Sequence, residues 1–309
     1  MPGGDGRLKR QATTMKLTDI QSMSKELKNA SYEEKEKVAH LMDIVAHHQT
    51  QNPGALVAGG AIKPLIELCE SGNDGSQIHA ASTLAIIATT KLDYQDKIVS
   101  AGAIPPLVKL LKMGSNKAMT FAAEAVAAIS EQRKYQDAMI KAGAIHPLVR
   151  LVRGDCTVDT QIHAAEAIAN LSVENPAAQH TFFSQGVVPL LIELLNGGKG
   201  QTSAADALAK LLSPARDDDA PANHEIQEEI ARNGGIPPLL GACSAALETR
   251  GVAPLSLPVP RFSCSLPPLL LSHPTFASTR IPRAHGNASS HRKLTAVARF
   301  AFLHDVQRC

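Results

Sequence analysis

Four segments of this chain carry the residue types of a nucleotide, metal or modification site, and each fails on spacing or specificity. "NGGKGQTS" (Asn196–Ser203) is as glycine-rich as a phosphate loop, but Gly200 follows Lys199 where Ser or Thr is needed, and no strand pattern precedes it. His47 and His48 are adjacent, so on a helix they project about 100° apart and make no metal pair. Asp217–Asp219 lack the alternating ligand spacing of a calcium loop and read as a solvated insertion. "KRQAT" (Lys9–Thr13) suits a basophilic kinase, but so short a match is common by chance. There is no Gly-x-Ser-x-Gly elbow and no strand-linked Gly-x-Gly-x-x-Gly. The expectation is a non-enzymatic chain with no catalytic, cofactor or metal residues.

What remains is surface chemistry. In four similar segments the positions at offsets 0, 3 and 7 share one helical face. They are His79, Ser82 and Ile86; Phe121, Glu124 and Ala128; His163, Glu166 and Asn170; Ser203, Asp206 and Lys210. Glu124, Glu166 and Asp206 form an acidic stripe that would favour basic ligands. Asn170 offers both donor and acceptor, so it can pair with a peptide unit whatever the ligand's sequence.

These faces need elements to hold them, and the elements repeat. "GAIKPL" starts at Gly60, "GAIPPL" at Gly102, "GAIHPL" at Gly143, "GVVPLL" at Gly186 and "GGIPPL" at Gly234, in steps of 42, 41, 43 and 48 residues. The insertion "SPARDDDAPANHE" lengthens the last step. A second motif keeps the register: "HAASTLAIIA" from His79, "FAAEAVAAIS" from Phe121, "HAAEAIANLS" from His163 and "SAADALAKLL" from Ser203. After Ile104, the apolar Leu107, Val108, Leu110 and Leu111 fall at helical offsets, and the other units match. Glycine can close a helix in the left-handed conformation, and proline suits a first turn whose N–H groups have no intrahelical partner. Gly102 therefore ends one helix, and Pro105–Pro106 begin the next. A third helix is expected over Asn116–Ser130, with Ala122, Ala123, Ala125, Val126 and Ile129 as its close-packing face.

A period near 42 residues lies in the range of helical solenoids. On the five Gly-corner motifs and the four Ala-Ala blocks, the chain resembles the armadillo-repeat family, of the β-catenin-like kind, from about Asn52 to Cys243. The resemblance implies an all-α right-handed superhelix and a role in binding other proteins as a scaffold or adaptor. It implies a third-helix face lining an inner groove, where a ladder of Asn holds the backbone of an extended peptide. The groove set is then His79, Ser82, Phe121, Glu124, His163, Glu166, Asn170, Asp206 and Lys210. Only Asn170 falls on the Asn position; Ile86, Ala128 and Lys210 occupy it elsewhere. In importin alpha a Trp stands four residues earlier, where this chain has Ser82, Glu124, Glu166 and Asp206. That departure counts against a nuclear transport adaptor. A second alternative is the substrate-binding component of a ubiquitin ligase, although no U-box-like module is visible.

The expected organisation is an N-terminal tail (1–14), a helical cap (15–51), the array (52–243) and a Pro/Ser-rich basic tail (244–309). Within the array the units run 52–92, 93–133, 134–174 and 175–213, with a partial fifth at 223–243. Ser31 and Glu34 form a capping box ahead of the apolar face Val38, Leu41, Met42 and Val45. From Thr249 to His304 there is no Asp or Glu. That composition reads as mostly disordered, an extension or an altered coding end, with a basic tail that folds back into the array or binds an acidic partner as the functional alternative. "LTAVARFAFLHDV" near the end is a candidate short helix.

Composition fits these expectations. Aromatic residues are 3% with no Trp, so a core drawn from the 44% hydrophobic residues must be small and aliphatic. Net charge of +2 points to no nucleic-acid or anionic-membrane partner. Five cysteines without a Cys-x-x-Cys pair suit a reduced cytoplasmic or nuclear chain. The start "MPGGDGRLKRQATT" has no apolar signal region and no Met-Gly, and no stretch is long enough to span a bilayer. A monomer with an extended, basic protein partner is expected.

Overall fold

The computed structural model describes residues 17–48, 52–154, 156–212, 222–239 and 241. The expectations for 1–14, 244–309, Lys9–Thr13 and Asp217–Asp219 lie outside them. By internal contacts the chain divides into Met1–Pro238 and Leu239–Cys309; of the second unit only Leu239 and Gly241 are described. Among the described residues every regular element is helical.

Helices α1 (Leu17–Asn29) and α2 (Tyr32–His48) come first. A succession of short, middle and long helices follows. It runs α3 (Asn52–Ala58), α4 (Ile62–Ser71) and α5 (Asp74–Thr90), then α6 (Leu92–Ser100), α7 (Ile104–Met113) and α8 (Asn116–Ser130). Next come α9 (Arg133–Lys141), α10 (Ile145–Val152) and α11 (Val158–Leu171), then α12 (Pro176–Ser184), α13 (Val187–Asn196) and α14 (Gln201–Leu211). Helix α15 (Ala222–Arg232) ends the series, and helical residues resume at Ile236. The segment "NGGKGQTS" spans the end of α13, the turn that follows and the start of α14, with no strand before it among the described residues.

The corners form for the expected local reason. Gly102 has φ +89°, where a Cβ would strain the backbone. Its N–H donates to Val99 O at 2.9 Å, and the Ala103 N–H reaches Ile98 O at 3.3 Å, which closes α6 in a Schellman arrangement. Pro105 then sits in the first turn of α7. Gly114, at the other end of α7, serves differently. Its φ of −71° suits any residue, but a Cβ there would lie 2.7 Å from Leu110 O. At α2 the Ser31 N–H donates to Glu34 Oε2 at 2.9 Å, and the Glu34 N–H donates to Ser31 Oγ at 3.4 Å. The bonds from Ser31 hold the Glu34 carboxyl below the usual carboxylate range.

Packing follows from side-chain size. The long helices α2, α5, α8, α11 and α14 lie side by side, and α4, α7, α10 and α13 form a second row against them. Ala122, Ala123, Ala125 and Ile129 of α8, and Ala164, Ala165, Ala167 and Ile168 of α11, are fully buried. Such small faces let helix axes approach closely, while Leu107, Leu148 and Leu191 fill the space between rows.

A third registered feature joins one unit to the next. Gln95 Nε2 donates to Ala88 O at 3.0 Å, Gln136 Nε2 to Ser130 O at 3.0 Å and Gln179 Nε2 to Ser172 O at 2.8 Å. Each buried glutamine sits on a short helix and satisfies a carbonyl at the C-terminal end of the preceding long helix. Those carbonyls have no partner within their own helix.

Candidate functional site

The row of long helices brings six of the nine expected groove residues onto one open surface. Glu124 on α8, His163, Glu166 and Asn170 on α11, and Asp206 and Lys210 on α14 line a groove of about 350 Å³. Thr89, Ala127, Ala128 and Glu131 complete its lining. The helical period places offsets 0, 3 and 7 on one face, and side-by-side packing makes those faces continuous. Four carboxylates against one ammonium give the lining a formal charge of −3 with His163 neutral.

Asn170 is already engaged. Its Nδ2 donates to Ala127 O and to Ser130 Oγ, each at 3.1 Å, across to α8. On the other side Lys210 Nζ donates to Asn170 Oδ1 at 3.0 Å. An ammonium can only donate, so the Asn170 oxygen must face α14 and its amino group α8. The expectation that Asn170 lies ready to take both a donor and an acceptor from a peptide unit is therefore corrected. Both of its N–H bonds serve the array, because the neighbouring helix exposes carbonyl and hydroxyl acceptors within reach. Only the remaining lone pair of Oδ1 is available to a ligand.

The carboxylates differ in their state. Lys210, 8% exposed, pairs with Asp206 Oδ2 at 2.7 Å. Glu166 Oε2 lies 3.1 Å from His163 Nδ1, and Glu166 Oε1 accepts from Ser203 Oγ at 3.1 Å. The hydrogen bond to Glu166 raises the His163 pKa, opposed by burial; the same bond holds the Glu166 carboxyl below its ordinary range. The side-chain carboxylates of Glu124 and Glu131 make no hydrogen bond or ion pair among the described residues.

Three expected groove residues lie elsewhere. Ser82 is 1% exposed and donates to Asp43 Oδ1 at 2.7 Å. His79 Nδ1 lies 2.9 Å from Asp43 Oδ2, and its ring stacks on His40 at 4.4 Å. Helix α2 packs on α5 and brings Asp43 and His40 over that face, so the stripe is covered there. Phe121 is half-buried and outside the groove lining. In the other direction, offset 10 on the same face holds Thr89 and Glu131, which line the groove. Carrying the 0, 3, 7 spacing one turn further would have found both.

Among the described residues there is no group of three His, Cys, Asp or Glu placed to hold a metal ion, and no helix long and apolar enough to cross a membrane. No family model matches the chain, and no curated protein matches it. Solved structures do. A computationally designed armadillo repeat protein for modular peptide recognition is 21% identical with a TM-score of 0.64, covering 91% of this chain and 99% of that one. A designed armadillo repeat protein in complex with the peptide (KR)4 is 21% identical with a TM-score of 0.61, covering 92% and 99%. An engineered protein is 23% identical with a TM-score of 0.63, covering 92% and 96%. The fold of this chain is the all-helical armadillo-repeat solenoid.

Proposed function

We propose that this armadillo array is a non-catalytic binding scaffold that holds an extended, basic segment of a partner protein along α8, α11 and α14. The observation that carries the reading is the open groove with a formal charge of −3, in which the carboxylates of Glu124 and Glu131 make no hydrogen bond or ion pair among the described residues. Carboxylates left unpaired beside a hollow are complementary to Lys or Arg, and their field would speed encounter as well as orient the ligand. An extended ligand suits a groove that crosses successive helices, since its side chains can be met one helix at a time. A neighbour designed for modular peptide recognition, and another designed armadillo repeat protein in complex with (KR)4, support the same use of the fold.

The test is titration of a labelled (KR)4 peptide, and of an acidic peptide of equal length, into the full chain at low and high salt. The basic peptide should bind, weaken with salt, and weaken strongly in the Glu124→Lys, Glu131→Lys double variant. Equal binding of both peptides, or no effect of the double variant in a protein that keeps its helical circular dichroism, would remove this groove as the binding surface.

A further inference from the structure

Lys210 is an unusual cation. It is 8% exposed, although lysine is rarely buried. Its ammonium lies 2.7 Å from Asp206 Oδ2 and 3.0 Å from Asn170 Oδ1, inside the groove lining. It occupies, one unit further along, the position that Asn170 holds on α11, at offset 7 from Ser203. Its stem rises from α14, and its head bridges back towards α11. A lysine of a bound basic peptide would seek such a place: a carboxylate, a neutral oxygen acceptor and partial exclusion of water. The chain's own ammonium shows that the position holds a cation.

We propose that Lys210 is a tethered occupant of a cation subsite formed by Asp206 and Asn170, and that it excludes a partner's basic side chain from α14. This rests on the reading of the groove as a site for a basic segment and adds a rule of register to it. A partner's Lys or Arg is read at Glu124 and Glu131 on α8, where no Lys or Arg of the described residues pairs with either carboxylate. At α14 the partner presents an uncharged residue, because a second cation there would lie against a buried ammonium. The arrangement limits affinity for uniformly basic peptides and favours a segment whose positive charge is confined to one end of the contact.

Removing the tethered ammonium should open the subsite. Lys210→Met keeps the aliphatic stem and its packing while freeing Asp206 Oδ2 and Asn170 Oδ1. Titrated with (KR)4, this variant should bind about tenfold or more tighter than the unaltered chain, the gain of one charge-assisted contact. The gain should persist at ~0.5 M salt, where a long-range field effect would be screened within a few ångströms. Adding Asp206→Asn to Lys210→Met should remove the gain. Lys210→Gln serves as a second neutral variant if the first loses its helical circular dichroism, and the same gain is expected of it.

Unaltered binding by folded Lys210→Met and Lys210→Gln overturns the proposal, as does a gain that survives Asp206→Asn. If the unaltered chain binds (KR)4 and loses it through Glu124→Lys, Glu131→Lys while the Lys210 variants change nothing, the groove reading stands and only the tethered occupant is rejected. If neither the unaltered chain nor any Lys210 variant binds, both readings fall.

Discussion

The side-chain amide of Gln136 donates to the main-chain carbonyl of Ser130 at 3.0 Å, from the short helix α9 back to the end of α8. Gln136 is 6% exposed, and Gln95 and Gln179 repeat the contact at 2% and 1%. In a solenoid each unit is stabilised by its neighbours, so a bond across a unit boundary acts on cooperativity as well as on stability.

Gln136→Met should therefore lower unfolding free energy by about 1–3 kcal/mol, the cost of leaving a buried carbonyl without its donor. Methionine keeps the length and packing of the side chain, so the hydrogen bond is the main thing lost. Chemical denaturation followed by circular dichroism measures it. A variant as stable as the parent would mean that packing, not the bond, joins α9 to α8.

Gly102 separates backbone strain from steric conflict. Its φ is +89°, yet a Cβ there would meet no atom within 4 Å. Gly102→Ala should then cost about 1–2 kcal/mol through the left-handed backbone alone. Gly102→Asn should cost less, because Asn tolerates that region better than Ala does. Gly102→Val should cost more than Ala, since a β-branched residue is the poorest fit. Equal stability of the Ala and Asn variants in a denaturant series would contradict a strain that depends on φ.

Much of the fold was legible because its signals are local. A glycine that must adopt φ near +89° and an apolar pattern at offsets 3, 4, 6 and 7 each declare themselves within about two turns, and Asn116–Ser130 emerged with both ends as expected. The site was legible only in direction. Offsets 0, 3 and 7 place Ser82, Glu124, Glu166 and Asp206 on equivalent faces, but α2 covers Ser82 and leaves Glu124 in an open groove. That covering helix is not a copy of the repeat, so the period carries no information about it. The bonds of Asn170 to Ser130 and of Lys210 to Asn170 each join residues 40 positions apart. A helical face tells which way a side chain leaves the backbone, not which neighbour its tip will reach. The glutamines at 95, 136 and 179 keep the same register as the Gly corners and were readable, but a lone polar residue attracts less notice than an apolar run.

Asn170→Ala should reduce stability as well as any ligand affinity. The side chain bridges α8 and α14 through three hydrogen bonds, so its loss removes bonds on both sides of α11. Ala127 O still accepts from Ser130 Oγ at 2.7 Å, and Lys210 keeps Asp206, which limits the damage to about 1–3 kcal/mol. Denaturation of the unliganded chain checks this. Unchanged stability would mean that the three bonds are replaced by water at no cost.

The His163–Glu166 pair makes both stability and binding depend on pH. The bond to Glu166 raises the His163 pKa, with Glu124 and Asp159 adding to the same effect. A raised value means that the imidazolium favours the folded chain. Its contribution is complete below the unfolded pKa of His and is lost as pH rises through the folded one. Glu166 has a lowered value, so its contribution is present above the ordinary carboxylate range and is lost as pH falls through the folded pKa. The two describe one contact, which is therefore strongest between about pH 4.5 and 6.5. His163→Gln should destabilise the chain at about pH 5.5 and have a smaller effect at about pH 8, in denaturation at matched ionic strength. Binding of a basic peptide should run the other way. Protonated His163 adds a positive charge to the groove and occupies Glu166, so (KR)4 should bind more weakly at about pH 5.5 than at about pH 8. By linkage, bound peptide should in turn lower the His163 pKa, which histidine ring chemical shifts report directly. In His163→Gln the pH dependence of binding should flatten. If the slope is the same with and without His163, another group governs it, and the pair does not regulate the groove.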